Sequence, residues 1–158
     1  RVRHGIGSVG RSADAAGWAG MSALWDRHRA GAVAAGGALG ATVRWGVVGA
    51  VEAGLFPWPV FALNVVGSAL LGVLLAEEWR HPRARLLLHD LGGIGFCGGL
   101  TTFSTFAVEV VQLVRDGHPV TAAAYAVTSV ATALAALLAG AAALRRVRPR
   151  TRPLEEAP

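Results

Sequence analysis

The chain has 158 residues, of which 53% are hydrophobic and 16% are charged. A soluble domain is usually about one quarter charged, so this composition argues against a soluble domain and favours a membrane protein. The 15 basic residues are all arginines, and they cluster at the two ends of the chain and between apolar runs, which argues against nucleic-acid binding.

Residues 1–29 form a polar N-terminal segment before the first apolar run. Residues 1–20 are rich in glycine and arginine and lack the continuous apolar stretch of a signal peptide. We expect either that Met21 is the natural start or that the first twenty residues are a disordered extension.

Four apolar segments follow, each long enough to cross a bilayer, which takes roughly 20 residues of helix. Arg44 is the one charge well inside the first segment, and the second and fourth segments are uncharged. The third carries His89 and Asp90 near its start and Glu109 towards its end. We therefore predict an all-α integral membrane protein whose four transmembrane helices span residues 30–51, 56–76, 86–114 and 119–144.

Arginines are distributed unevenly between the two ends of these segments. The N-terminal region, the loop at 80–85 and the C-terminal tail hold five, three and five arginines, and the opposite side holds only Arg115. The positive-inside rule therefore predicts that both termini are cytoplasmic. In this interpretation residues 30–144 form a four-helix membrane domain, and residues 145–158 form a basic tail that we expect to be disordered.

Small residues recur at four-residue spacing, which lets helix backbones approach closely. The pairs are Gly36 and Gly40, Gly46 and Ala50, Ser68 and Gly72, and Gly95 and Gly99. This spacing predicts tight helix packing, either within the chain or between subunits. Four helices of this size enclose little volume. If the chain carries a conducting pathway, we therefore expect an oligomer.

The most informative stretch is residues 92–109, GGIGFCGGLTTFSTFAVE. Glycines lower helix stability, and serine and threonine side chains can bond back to the backbone. The third helix is therefore predicted to break near its middle, although a small-residue packing face is an equal alternative. A break would release backbone carbonyls in the membrane, which suit a hard cation such as Na⁺.

Aromatic and amide side chains are candidates for an anion pathway. Phe103 and Phe106 lie three residues apart and share a helix face, where they either pack against neighbours or present their positive ring edges to an anion. Asn64 lies in the middle of the second segment, where a bare amide in hydrocarbon would be costly. It either bridges helices or donates to an anion, and we favour the second interpretation.

The remaining polar candidates lie on the first, third and fourth segments. Arg44 either extends to the interface or attracts anions, and Glu109 either pairs with it or caps a site. Tyr125 and Ser129 lie four residues apart on one face, where their hydroxyl groups suit an anion track or helix packing.

Three stretches carry a resemblance to a known family: GGALGATVRW at 36–45, LNVVGSALLG at 63–72 and, most specifically, GFCGGLTTFSTFAVE at 95–109. Over roughly residues 36–144 the chain resembles the small bacterial fluoride channels of the CrcB or Fluc family. The resemblance implies an antiparallel dimer with two fluoride pores and a central sodium ion that is structural and not transported.

The resemblance also implies roles for individual residues. Backbone carbonyls of Gly98 and Thr101 from each subunit would bind the sodium ion. The fluoride pathway would comprise Arg44, Asn64, Phe103, Phe106, Tyr125 and Ser129. We add Thr102 and Thr105 to this pathway because they belong to the same hydroxyl-rich run.

Other classes of protein fit the sequence less well. A small multidrug-type exporter needs a carboxylate in mid-membrane for proton coupling, and the first segment has only Glu52 at its end. A membrane assembly subunit would explain the small residues but not the TTFSTF run. An enzyme is not expected, because the titratable groups form no recognisable catalytic set. The arginine bias leaves open whether the antiparallel partner is a second copy or a related chain of opposite bias.

Overall fold

The computed structural model describes residues 27–52, 54–76, 79 and 81–147, so the predicted N-terminal extension up to residue 26 and the tail from residue 148 lie outside the described residues. The described residues are helical and contain no strand. The helices are α1 (Arg27–Ala50), α2 (Trp58–Leu75), α3 (residues 82–100), α4 (Phe103–Arg115) and α5 (Pro119–Val147).

Proline and glycine define most of the helix ends. Prolines stand in the first turns of α2 and α3, and Pro119 begins α5, because a proline lacks an N–H that the first turn would leave unpaired. After α4, Gly117 adopts a φ of 83°, a left-handed conformation that glycine tolerates best. The N–H groups of Gly117 and His118 then donate to the carbonyls of Val114 and Leu113, which closes the helix end.

The helix α3 does not have regular α geometry. A short α turn, Pro82–Ala84, leads into thirteen residues of π-helix, Arg85–Cys97, and a final α turn, Gly98–Leu100. Most π-helical segments in proteins are single turns, so this one is unusually long. The sequence predicted irregular backbone only from residue 92 onwards, and the π winding therefore begins seven residues earlier than expected.

Backbone geometry changes again between α3 and α4. Thr101 has φ and ψ of −77° and 153°, and Thr102 has −149° and 125°, so both residues are extended. Helical geometry resumes at Phe103. Residues 101 and 102 are called the 101–102 link below.

Helices α1 and α3 run parallel and touch through glycines. A Cβ at Gly36 would overlap the backbone carbonyl of Leu91, and one at Gly40 would overlap that of Phe96. From the other side, a Cβ at Gly99 would overlap a carbonyl of α1. The four-residue glycine spacing on both helices therefore brings two backbones of the same chain into contact.

Helices α2 and α5 form a second parallel pair of the same kind. A Cβ at Gly72 would overlap the Leu137 carbonyl, and one at Gly140 would overlap the Ala69 carbonyl. The fold is thus two glycine-packed helix pairs, with α4 packed against α5.

Three segments are long and apolar enough to cross a membrane: Trp58–Leu75, Pro82–Arg115 and Pro119–Val147. The helix α1 is not among them, because its glycines and arginines dilute its apolar residues, and its crossing of the membrane stays a prediction. Large apolar side chains point outward along the helices; Trp45, Val120 and Phe103 are each at least 78% exposed. Such a surface needs lipid or another protein against it.

Candidate functional site

A cavity of about 280 Å³ lies where α2, α4, α5 and the 101–102 link meet. Its polar and aromatic lining residues are Asn64, Ser68, Thr101, Thr102, Phe103, Phe106 and Ser129, and Val130 and Ala133 complete the wall. Five of the eight residues predicted for the fluoride pathway therefore line one cavity.

Asn64 holds the 101–102 link in its extended form. Its Oδ1 accepts a 2.8 Å hydrogen bond from the Thr102 backbone N–H, and its Nδ2 donates to the Thr102 carbonyl at 3.1 Å. A side-chain amide carries two N–H donors, so the second remains for another acceptor at the cavity wall. Asn64 thus bridges helices, and its amide also faces the cavity.

Thr102 begins α4 by capping it. Its Oγ1 accepts a hydrogen bond from the Thr105 backbone N–H at 3.2 Å and also bonds to the hydroxyls of Ser104 and Thr105, each at 3.2 Å. A threonine cap satisfies one of the N–H groups that a helix start leaves unpaired. Thr105 therefore supports the cap of α4 and is not part of the cavity wall.

The two phenylalanines pack against each other, and Phe106 also packs against α5. The ring centroids of Phe103 and Phe106 are 5.7 Å apart at an interplanar angle of 44°, and Phe106 lies 5.3 Å from Tyr125. Phe56 meets Tyr125 edge-on at 5.2 Å and 83°. Tilted and edge-on contacts are the favoured arrangements of aromatic rings, and they fix the orientation of Phe106 at the cavity.

Tyr125 and Ser129, predicted on one face of the last helix, have different surroundings. Tyr125 is fully buried and does not line the cavity. Its hydroxyl donates a hydrogen bond to Glu109 Oε2 at 2.6 Å. Glu109 thus bonds to Tyr125. The sequence had predicted that Glu109 either pairs with Arg44 or caps a site. The Ser129 hydroxyl lines the cavity, is buried, and makes no hydrogen bond of good geometry to a described residue, although Tyr125 lies close by.

Arg44 reaches the same link from α1. Its Nη1 donates to the Thr101 carbonyl at 3.3 Å. The Thr101 hydroxyl in turn donates to the Cys97 carbonyl at 2.9 Å. Arg44 therefore contacts the backbone of the link and is not a lining residue of the cavity.

The backbone around the link fits a hard cation. The Thr102 N–H donates to Asn64 where a regular helix would bond Gly98, and the Thr105 N–H donates to Thr102 Oγ1 where a regular helix would bond Thr101. The carbonyls of Gly98 and Thr101 are thus released from helical bonding, as are those of Gly99 and Leu100, because α4 begins only at Phe103. A carbonyl has two lone pairs, so the Arg44 bond still leaves one on Thr101. A Cβ at Gly98 would meet open space, so another molecule has room to approach there.

Comparison with known proteins identifies the family. Residues 31–141 match the family described as CrcB-like protein, Camphor Resistance (CrcB). The chain belongs to the CrcB-like family. A relative from Mycobacterium bovis, named fluoride-specific ion channel FluC 1, is 39% identical over 125 residues, which cover 78% of this chain and 95% of the relative.

Two further members of the CrcB-like family show a similar likeness. The relative from Mycolicibacterium paratuberculosis, also named fluoride-specific ion channel FluC 1, is 40% identical over 79% of this chain and 96% of its own length. The fluoride-specific ion channel FluC of Nitrobacter winogradskyi is 43% identical over 69% of this chain and 89% of its own length. The resemblance inferred from the three sequence motifs is thereby confirmed.

Two features of this CrcB-like chain were missed in the sequence. Ser68 lines the cavity one helical turn after Asn64, and the four-residue spacing on one face could have revealed it. Arg29, His89 and Asp90 form a polar cluster between α1 and α3. Arg29 and Asp90 are 61 positions apart in the sequence, so no local pattern indicated that contact.

Proposed function

We propose that this chain is a fluoride-selective ion channel that lowers cytoplasmic fluoride by passive efflux across the cell membrane. One observation carries the proposal: a single cavity combines the Asn64 amide, the buried Ser129 hydroxyl, and the Phe103 and Phe106 rings. The names of the relatives as fluoride-specific ion channels support it.

The cavity chemistry suits a small, strongly hydrated anion. Asn64 and Ser129 can donate hydrogen bonds that replace part of the water shell of fluoride, and the positive ring edges of the phenylalanines can stabilise its charge. The cavity also lies at the start of α4, where the helix dipole favours negative charge. None of these groups is a full positive charge, so an ion can bind and still leave.

The direction of transport follows from the chemistry of hydrogen fluoride. In acidic surroundings HF crosses the membrane and ionises in the neutral cytoplasm. The negative membrane potential then drives fluoride outward through a passive pathway, so that ATP hydrolysis is not required.

The proposed assembly is an antiparallel dimer with four membrane helices in each chain and a structural sodium ion. The extended 101–102 link would be the predicted break in the third membrane helix. Carbonyls of Gly98 and Thr101 from two chains would together surround the ion, which stabilises the assembly and is not transported. The open space around Gly98 supports a site shared between two chains, because a second chain has room to approach there.

Anion flux from purified protein in liposomes tests the function. We expect the protein to dissipate a fluoride gradient and to leave a chloride gradient nearly unchanged. Ser129→Ala is expected to lower fluoride flux with the fold intact, since it removes the buried hydroxyl. Thr128→Ala is the matched control, because the Thr128 hydroxyl is exposed and bonds to its own helix backbone.

The outcomes separate the competing classes. Equal chloride and fluoride flux would refute a fluoride channel, and drug transport coupled to a proton gradient would indicate a multidrug-type exporter. The absence of any flux would favour an assembly subunit.

A further inference from the structure

A polar cluster lies between α1 and α3, apart from the cavity. The Asp90 carboxylate is 1% exposed and accepts two hydrogen bonds from Arg29, Nε to Oδ2 at 2.7 Å and Nη2 to Oδ1 at 3.0 Å. His89 Nδ1 lies 2.8 Å from Asp90 Oδ1. None of these residues lines the cavity, so the proposed fluoride pathway does not account for them.

The contact that continues from this cluster towards the 101–102 link is built from backbone atoms. Gly36 and Gly40 of α1 touch carbonyl groups of α3, and Gly95 and Gly99 of α3 touch α1 in return. Helices usually resist sliding because side-chain ridges of one sit in grooves of the other. Glycines have no side chain to supply such ridges, so the axial position of α1 against α3 depends on these close backbone contacts together with the polar bonds at their ends.

Polar bonds lie at the two ends of that backbone contact. Arg29 binds Asp90 at one end, and Arg44 binds the Thr101 carbonyl at the other. The two arginines are 15 positions apart on α1, which corresponds to about 22 Å of helix. Since α1 is one uninterrupted helix, an axial shift at Arg29 is transmitted to Arg44.

We propose that Asp90 and Arg29 are positioning residues for the channel. Their paired bonds hold α1 at the axial position from which Arg44 reaches the Thr101 carbonyl. That contact, together with Asn64, shapes the 101–102 link and the cavity that it lines. The part of the inference that concerns fluoride flux rests on the proposed function. The part that concerns the structure of the link rests on the geometry alone.

A double-mutant cycle provides the transport test. In liposomes, Asp90→Asn is expected to lower fluoride flux about tenfold, within the range of coupling between contacting residues. Asp116→Asn, an exposed carboxyl-to-amide change at the far end of α4, is the matched control and should leave flux unchanged. If Asp90 acts through Arg44, then Arg44→Gln combined with Asp90→Asn should reduce flux no further than Arg44→Gln alone. Wild-type flux in Asp90→Asn, or two losses that multiply in the double variant, would refute the inference.

Amide hydrogen exchange provides a test that needs no fluoride. The Thr102 and Thr105 N–H groups are both hydrogen-bonded at the link, and Asp90→Asn should accelerate their exchange although they lie more than ten residues away. Acceleration confined to residues near 90 would show a purely local role and overturn the inference. If wild-type protein conducts no fluoride, the proposed function fails, and the exchange result still decides the positioning role.

Arg29→Lys serves as a second, milder variant in case Asp90→Asn does not fold. A lysine keeps the positive charge but cannot bind both carboxylate oxygens in the planar, two-bond geometry of arginine. We expect a smaller loss of flux, of about threefold, by the same reasoning on coupled residues, with faster exchange at Thr102 and Thr105. Wild-type flux and exchange in this variant would refute the positioning role.

Discussion

Replacing Asn64 with leucine removes the amide that joins α2 to the 101–102 link while nearly preserving side-chain volume. Thr102 is only 7% exposed, so its backbone N–H loses the Asn64 acceptor without gaining water. A buried donor left unpaired costs about 1–3 kcal/mol, and losing the second bond, to the Thr102 carbonyl, costs about 0.5–1.5 kcal/mol. The carbonyl itself is not orphaned, because the residue before a helix accepts the first helical bond. We therefore expect the free energy of unfolding to fall by about 2–4 kcal/mol.

Asn64→Asp separates this structural role from the proposed role in conduction. The aspartate keeps an acceptor for the Thr102 N–H but removes both amide donors and adds a negative charge to the cavity wall. We expect a stability loss comparable to that of Asn64→Leu, because the second carboxylate oxygen would face the Thr102 carbonyl that Nδ2 now binds and a charge within apolar helices is costly, together with loss of fluoride flux through repulsion of the anion.

The assay combines denaturant unfolding in detergent micelles with fluoride flux from liposomes, for both variants and the wild type. Flux is compared only between preparations that are equally folded. Unfolding of Asn64→Leu at the wild-type denaturant midpoint would show that the amide bonds to Thr102 contribute nothing. Wild-type fluoride flux in Asn64→Asp would refute the placement of Asn64 in the anion pathway.

Three further predictions concern packing, sodium and orientation. Gly40→Ala should destabilise the protein by about 1–3 kcal/mol, the range for overpacked sites, because its Cβ would overlap the Phe96 carbonyl. Gly46→Ala on the same helix should leave stability unchanged, because its Cβ would meet open space. Thermal unfolding of both variants decides. Replacing Na⁺ with a large organic cation should lower dimer stability or fluoride flux, since an ion that binds only the folded assembly stabilises it; equal behaviour in both solutions would contradict the sodium site. Expression of the chain alone, with both termini mapped by labelling from each side of the membrane, should place the termini in the cytoplasm in nearly all copies. An even split of orientations with full fluoride flux would show that the chain forms homodimers despite its arginine bias.

Features encoded by neighbouring residues could be predicted from the sequence. The helices begin and end within about four residues of the predicted bounds, since long apolar runs and prolines determine them locally. Asn64, Thr102, Phe103, Phe106 and Ser129 lie around one cavity, and their role in a fluoride pathway stays a prediction. These residues stand out because polar groups are rare in apolar helices and need a partner or a ligand.

Features that depend on distant residues could not be predicted. The sequence did not reveal that Tyr125 bonds to Glu109 or that Arg29 binds Asp90, because side chains on different helices have no periodic relation in sequence. It did not predict that Asn64 bonds to the Thr102 backbone, because that bond exists only once the link is extended. The π winding at Arg85–Cys97 was also missed, since hydrophobic periodicity does not distinguish it from an irregular α-helix in so short a run.

The π-helical segment has a consequence for how this fold can change in length. In a regular α-helix, one inserted residue turns everything that follows by about 100°, since there are 3.6 residues per turn. A stretch with wider turns can take up or give back a residue by local rewinding, so that the residues beyond it keep their facing. We therefore expect a one-residue deletion at the start of Arg85–Cys97, before the contacts of Leu91, Gly95 and Phe96 with α1, to leave the orientation of Phe103 and Phe106 intact. The same deletion within Phe103–Arg115 would rotate Glu109 away from Tyr125.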